Sequence, residues 1–340
     1  MVVNNKLYQH FWDSDVEISN EYSSVLFDGS VEYELTRTLR KNTLQGMYDN
    51  LSSVEWITGG FDLGDIAVYT LPSNFSVYYW PTFFFTHTLA ILETHKWWPD
   101  IEETIKKTPA VTNTFITYNR KPHDYRCLLV DNLAKSNLIE DNLVSWQVLN
   151  PIYNFRYFNQ KILSIDQEQQ TVEESVDSHI IAPQHKNAFM QVISESNILA
   201  PIFITEKTVK ALAMGDIFLT LGPSGFHSKL EELGFELYTE IFNYDFDNKS
   251  LQERVNGIIK NIINLPRETK ELESIKERLV EKRIYNYHRS LQLARNSEHM
   301  NLETLNLLKK NYSIFPEGRS TRIALDYLDV WNNDIFSKSV

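Results

Sequence analysis

A single cysteine, Cys127, stands in 340 residues, so the chain has neither a disulfide framework nor a multi-cysteine metal site. Glycine and proline are scarce, 11 of each, which excludes collagen-like and low-complexity organisation. No run of about 18 apolar residues occurs, so no transmembrane helix is expected. The opening residues, MVVNNKLYQHFWDSD, show no basic stretch followed by an apolar one. With a lone thiol, this leads to the expectation of a cytoplasmic protein. Positive charge is also short: 33 Lys and Arg against 45 Asp and Glu leave a net charge of −12. Such a surface repels polyphosphate backbones and disfavours a dedicated nucleic-acid binder, although a locally basic groove or pocket can still take a phosphorylated ligand. The nucleophile elbow G-x-S-x-G and the P-loop pattern are both missing.

Apolar residues make up 42% of the chain and aromatics 13%, enough for two sizeable cores. In the first hundred residues Val54–Thr58, Ile66–Leu71 and Ser76–Trp80 are β-rich runs between Gly59-Gly60 and Pro72-Ser73-Asn74. Asp28-Gly29 reads as a turn, and Glu32–Tyr48 as a helix with Leu35, Leu39 and Leu44 roughly on one face. Further on, the alternation sharpens. Thr114–Tyr118 reads as a strand and Asp124–Lys135 as a helix, and Gln160–Asp177 is a polar, acidic loop or insertion. Then follow strand Phe189–Ser194, helix Glu206–Met214, strand Ile217–Leu221 and helix Phe226–Leu233, a spacing that argues for a parallel sheet covered by helices. From Gln252 to about Tyr312 the pattern is helical, broken at Leu265-Pro266 and near Asn296.

Two segments concentrate chemistry. Thr205 stands at an N-cap position, and Glu206 in the first helical turn suits the positive helix end. Lys207 runs against that preference; either it points to solvent or an anion binds between its ammonium and the helix N–H groups. Gly222-Pro223-Ser224-Gly225 places a tight turn between a strand and a helix, at the sheet edge where ligands of open α/β sheets bind. Upstream, Asn119-Arg120-Lys121-Pro122-His123-Asp124-Tyr125-Arg126 gathers three cations just past a strand. It is either a solvated loop or a second phosphate-binding patch. His123 and Cys127 share a helix spacing, but two ligands do not make a metal site.

The stretch FITEKTVKALAMGDIFLTLG resembles the donor-binding signature of family 10 fucosyltransferases, a Tyr/Phe-Ile-Thr-Glu-Lys helix start followed by a strand ending in Leu-Gly. Ser194-Glu195-Ser196-Asn197 resembles the family's Phe-Glu-Asn-Ser element, and Asn119–Arg126 its Ser-Asn…Arg element, with Arg126 matching the phosphate-binding arginine. The resemblance covers about 130 residues of the carboxyl half; Thr112–Asp247 also looks like glycosyltransferase-like proteins of large viruses and phages, which would place the chain in a host cytoplasm. It implies an α/β, GT-B-like fold of two Rossmann-like domains facing across a cleft. Residues 1–110 would form the acceptor-side domain, 111–320 the nucleotide-sugar domain, and 321–340 a helix returning to the first. Lys207 and Arg126 would neutralise the donor diphosphate and stabilise it as leaving group. Glu206 would accept from ribose hydroxyls, Thr205 would cap the helix or touch phosphate, and Glu195 and Asn197 would lie near sugar or pyrophosphate, with Asn119 and Arg120 beside them. The donor would be a nucleoside-diphosphate sugar and the acceptor a hydroxyl of a glycan or similar molecule; no metal or other cofactor is implied. Asp13-Ser14-Asp15 has the spelling of a metal tripeptide but precedes any convincing strand.

The chain departs from that family at the general base, because the Glu-Ser-Pro that would carry it is missing. An inverting transfer needs a base within about 2.6–3.2 Å of the acceptor hydroxyl. Asp28, Asp62 and His87 are the candidates, each also readable as structural. Two rivals follow: a nucleotide-sugar or glycan binder without catalysis, and a glycosyltransferase acting on modified bases of viral DNA.

Overall fold

Alternation of apolar side chains with a period of two decides which residues of each strand reach a core. In a computed structural model the described residues are 2–3, 6–10, 22–30, 51–60, 73–80, 85–90, 101–107, 110–119, 123–146, 187–198, 202–296 and 300–332. The segments Glu32–Tyr48, Ile66–Leu71 and Gln160–Asp177, read above as helix, strand and loop, lie outside them, as do Asp13-Ser14-Asp15. The strands are β1 (Val2–Val3), β2 (Lys6–His10), β3 (Ser24–Gly29), β4 (Ser53–Thr58), β5 (Phe75–Tyr79), β6 (Asn113–Asn119), β7 (Leu143–Trp146), β8 (Ala188–Ser194) and β9 (Ile217–Leu221). The helices are α1 (Ile101–Lys107), α2 (Asp124–Lys135), α3 (Glu206–Ala213), α4 (Phe226–Glu232), α5 (Leu251–Ile263), α6 (Thr269–Arg278), α7 (Val280–Asn296), α8 (Leu302–Asn311) and α9 (Ser320–Trp331). None of the described helices is long and apolar enough to cross a membrane.

The chain is mixed α/β and divides into two compact units, each built on a sheet of mainly parallel strands. The first comprises Met1–Thr94, Ala200–Ile204 and Leu291–Val340; the second comprises His95–Leu199 and Thr205–Ser290.

In the first unit the sheet runs β1-β2-β3-β4-β5, with β1 antiparallel to β2 and the rest parallel. Val25 pairs with Val54 and Phe27 with Trp56, so these four side chains stand on one face, with Leu7 and Leu51. The intervening residues Tyr8, Leu26 and Ile57, with Trp80, form the opposite face. It is covered by Leu307 and Leu308 of α8, Ile314 and Phe315 of the turn after it, and Ala324, Leu325 and Leu328 of α9. Asp28 and Gly29, read from sequence as a turn, instead end β3, and the chain turns at Ser30. Asp28 tolerates a buried strand position because Tyr8, Ser30 and Thr321 all donate to its carboxylate.

In the second unit the order is β7-β6-β8-β9, all parallel. Every residue of β8, a central strand, and of β9, at the edge of the sheet, is buried, so both strands are covered on both faces. The strands expected at Thr114–Tyr118, Phe189–Ser194 and Ile217–Leu221 are present as β6, β8 and β9, and the helices expected at Asp124–Lys135, Glu206–Met214 and Phe226–Leu233 as α2, α3 and α4. Strand β7, with only four residues, carried no separate signal in the sequence. Gly215 closes the α3–β9 turn at φ +59, and a Cβ there would stand 2.4 Å from the Ile105 side chain, so only glycine fits.

Candidate functional site

The carboxyl ends of β6, β8 and β9 form one edge of the second sheet, and the chain leaves each of them into a segment that carries polar side chains. After β8 come Glu195, Ser196, Asn197 and Ile198. Glu195 has no exposed surface. Its carboxylate accepts from the Thr205 N–H at 3.2 Å, the Thr208 hydroxyl at 2.5 Å, the Ser196 N–H at 3.2 Å and the Thr205 hydroxyl. A carboxylate so placed lies at the positive end of α3, where it is favoured, and it fixes the loop after β8 to the helix start. Thr205 is the N-cap: its hydroxyl oxygen accepts from the Lys207 N–H at 3.3 Å.

Lys207 folds back over this helix start. Its Nζ donates to Ser196 Oγ at 2.9 Å, to Glu206 Oε1 at 2.6 Å and to Thr205 Oγ1 at 3.4 Å. The Lys207 side chain is 28% exposed and Glu206 16%, so the pair stands at the surface of the site and is not spread into solvent.

From the other side, α2 supplies Tyr125 and Arg126. The Tyr125 hydroxyl donates to the carbonyls of Glu195 at 2.8 Å and Ser196 at 2.9 Å. Burial raises its pKa, against a smaller opposing pull from Arg126, so it remains a donor. Arg126, 5% exposed, directs Nη2 at the Glu195 carbonyl at 3.3 Å and the Ser194 carbonyl at 3.5 Å. The guanidinium and the ammonium, from segments far apart in the chain, therefore meet on the adjacent residues Glu195 and Ser196.

Two further polar groups belong to this edge. Asn119 ends β6 with no exposed surface; its amide donates to Thr117 Oγ1 at 3.2 Å, and its Oδ1 has no hydrogen-bond partner among the described residues. Ser194 Oγ at the end of β8 is likewise buried without one. Buried acceptors and hydroxyls in this state are costly and are candidates for ligand contact. Asn197 is half-buried in the same loop. Arg120 lies outside the described residues.

The Gly222–Gly225 turn does something different. Gly225 adopts φ +78 at the N-cap of α4 and has no side chain with which to cap it. Asp247 does so from a distance: its Oδ1 accepts from the His227 N–H at 3.0 Å and its Oδ2 from the Ser228 N–H at 3.0 Å. His227 accepts from the Thr220 N–H on Nε2 at 3.2 Å, so its ring proton is on Nδ1, 2.7 Å from Asp247 Oδ1. Both ring nitrogens are thus used internally, and this helix end binds a carboxylate of the chain itself.

Two of the candidate bases, Asp28 and His87, are described, and both belong to the first unit. Asp28 belongs to the first unit, has no exposed surface, and each of its oxygens is shared by two donors: Oδ1 by the Ser30 N–H and hydroxyl, Oδ2 by the hydroxyls of Tyr8 and Thr321. That network braces α9 against the sheet. His87 sits in the short helical stretch 85–90 of the first unit, 9% exposed. Asp62 lies outside the described residues. The His123 ring stacks on Tyr125 at 5.5 Å, and burial together with Asp124 and Asp131 raises the Cys127 thiol to about 11. Among the described residues no group of three or more His, Cys, Asp or Glu side chains could hold a metal ion.

Arg254, which no sequence motif marks, reaches the same loop from α5: its Nη2 lies 3.5 Å from the Ile198 carbonyl. Compared with family models, with curated proteins and with solved structures, the chain matches none.

Proposed function

We propose that the chain is a glycosyltransferase of the GT-B type, moving a hexose or deoxyhexose from a nucleoside-diphosphate sugar to a hydroxyl of a glycan or similar acceptor, with inversion and without a metal. One observation carries the reading: Arg126 and Lys207 converge on Glu195 and Ser196, at the carboxyl edge of a parallel sheet and beside the N-terminus of α3. That is where an α/β sheet offers a phosphate both backbone dipole and side-chain charge. A diphosphate held there carries two negative charges in the donor and gains a third as it takes the electron pair of the broken bond to the sugar. The two cations stabilise the charge that develops on the leaving oxygen. Glu206, whose Oε1 accepts from Lys207, would accept from ribose hydroxyls. The two α/β units supply the pair of parallel sheets that a GT-B arrangement needs.

The test is incubation with UDP-, GDP- and dTDP-sugars while free nucleoside diphosphate and transferred sugar are measured. Turnover with at least one donor is expected. Arg126→Ala and Lys207→Ala should each weaken binding of that nucleoside diphosphate by roughly 2 kcal/mol or more. Unchanged affinity in both variants would remove the phosphate site from this edge.

A second reading, a nucleotide-sugar binder without catalysis, is favoured by Asp28, whose oxygens are all engaged within the first unit. It predicts binding with no turnover under any acceptor.

A further inference from the structure

Arg254 is a buried guanidinium whose partners among the described residues do not match its charge. It is 7% exposed. Nη1 donates to the Lys249 carbonyl at 2.7 Å, and Nη2 reaches the Ile198 carbonyl only at the long limit of 3.5 Å. Nε, also buried, has no hydrogen-bond partner among the described residues. The carboxylate that acts on it electrically is Asp247, whose oxygens are engaged by His227 and Ser228. Burial accordingly pushes the guanidinium below its ordinary pKa, with Asp247 opposing. Buried charges are retained where they are paired, and arginine suits a planar two-point contact with phosphate.

Its position supplies the missing pair. Ile198 closes the loop that begins at Ser194, and three helices bring a cation to that loop: α2 through Arg126, α3 through Lys207 and α5 through Arg254. Ser194 Oγ, buried with no hydrogen-bond partner among the described residues, stands at the other end of the same five residues.

We propose that Arg254 is the third cation of this site and binds the second phosphoryl group of a diphosphate ligand through Nε and Nη2, so that the site selects two linked phosphoryl groups over one. This rests on the reading of Arg126 and Lys207 as phosphate ligands. A bracing role alone would need only the carbonyl contacts and would carry no preference between anions.

The experiment is calorimetric titration of the full chain with inorganic pyrophosphate and, separately, inorganic phosphate at fixed ionic strength, for the unchanged protein, Arg254→Lys and Arg254→Gln. The unchanged protein should bind pyrophosphate more tightly than phosphate. Both variants should lose about tenfold or more in pyrophosphate affinity while phosphate affinity moves by less than about threefold, so the ratio collapses. Thermal melting reports whether Arg254→Gln folds; Arg254→Lys, which keeps the charge but not the fork, decides if it does not. A ratio that stays at its original value in the folded variants overturns the proposal. If Lys207→Ala abolishes pyrophosphate binding while the Arg254 variants keep that ratio, this inference falls and the diphosphate site stands. If the unchanged protein binds neither anion, the diphosphate reading falls and takes Arg254's role with it.

Discussion

Two buried charged residues show how local surroundings settle what a side chain can do. Asp28 receives four donors and has no exposed surface, which suits a brace between β3 and α9. Asp28→Asn keeps the shape but turns one acceptor oxygen into a donor that faces donors. It should lower stability by roughly 2–3 kcal/mol in chemical denaturation. A general base at this position would behave otherwise, losing turnover with stability intact. Lys276 is buried against the Ala188 carbonyl, its Nζ at 2.7 Å. Burial, with Arg283 adding repulsion and Asp216 opposing, brings it down to about 8, against about 10.4 for an ordinary lysine. The folded chain therefore gives up this proton before the unfolded chain does. Between about pH 8 and pH 10 the unfolded state binds more protons there, and stability from this group rises with pH. Lys276→Met should remove that rise, seen as a flatter difference in melting temperature across pH 7.5–10.5; an unchanged slope would place the effect elsewhere.

At the scale of elements, the start of α4 depends on a residue distant in sequence. Gly225 offers no cap, and Asp247 takes its place through the N–H groups of His227 and Ser228. Burial alone would raise the Asp247 carboxyl, but the hydrogen bond from the His227 ring, with those from the His227 and Ser228 N–H groups, holds it below its ordinary value. A lowered carboxylate contributes stability that is full above the unfolded value of about 3.9 and is lost as pH falls through the folded one. Asp247→Asn should cost about 1–2 kcal/mol near neutral pH and flatten the acid limb of the melting curve. An acid limb identical to that of the unchanged protein would contradict this. Such long-range caps were not legible in the sequence, because nothing in the run Asn243–Asn248 ties it to Gly225. The elements themselves were legible where period and breakers agreed, as for α2, β9 and the helical stretch broken at Pro266 and Asn296. The Thr205-Glu206-Lys207 helix start was readable for the same reason. The inward turn of Glu195 was not, since a carboxylate beside an expected phosphate site reads as a ligand until its four donors are seen. Arg254 was invisible: a lone arginine in an amphipathic helix reads as surface, and only packing puts it at Ile198.

For the whole molecule, the decisive feature is that the core of the first unit is completed by chain from its far end. Tyr8, Leu26, Ile57 and Trp80 are covered by residues of α8 and α9, and Lys6, paired with Glu55, also reaches Asn311 at 2.9 Å. The residues of the proposed phosphate site, Arg126, Glu195, Ser196, Lys207 and Arg254, all belong to the second unit. A protein of two compact units need not unfold in one step, and a ligand stabilises whatever it binds by mass action. Leu325 has no exposed surface, so Leu325→Ala should destabilise the first unit by about 2–5 kcal/mol through lost transfer energy and a residual cavity. Hydrogen exchange followed on separate peptides resolves the two units. In the Leu325→Ala chain, protection should fall in β3 and β4 and hold in β8 and β9, and added pyrophosphate should raise protection in β8 and β9 while leaving β3 and β4 at their weakened level. Recovery of β3 and β4 on adding pyrophosphate would mean that the anion acts on the first unit as well, and the site would then have to be sought beyond the loop that Arg126 and Lys207 share.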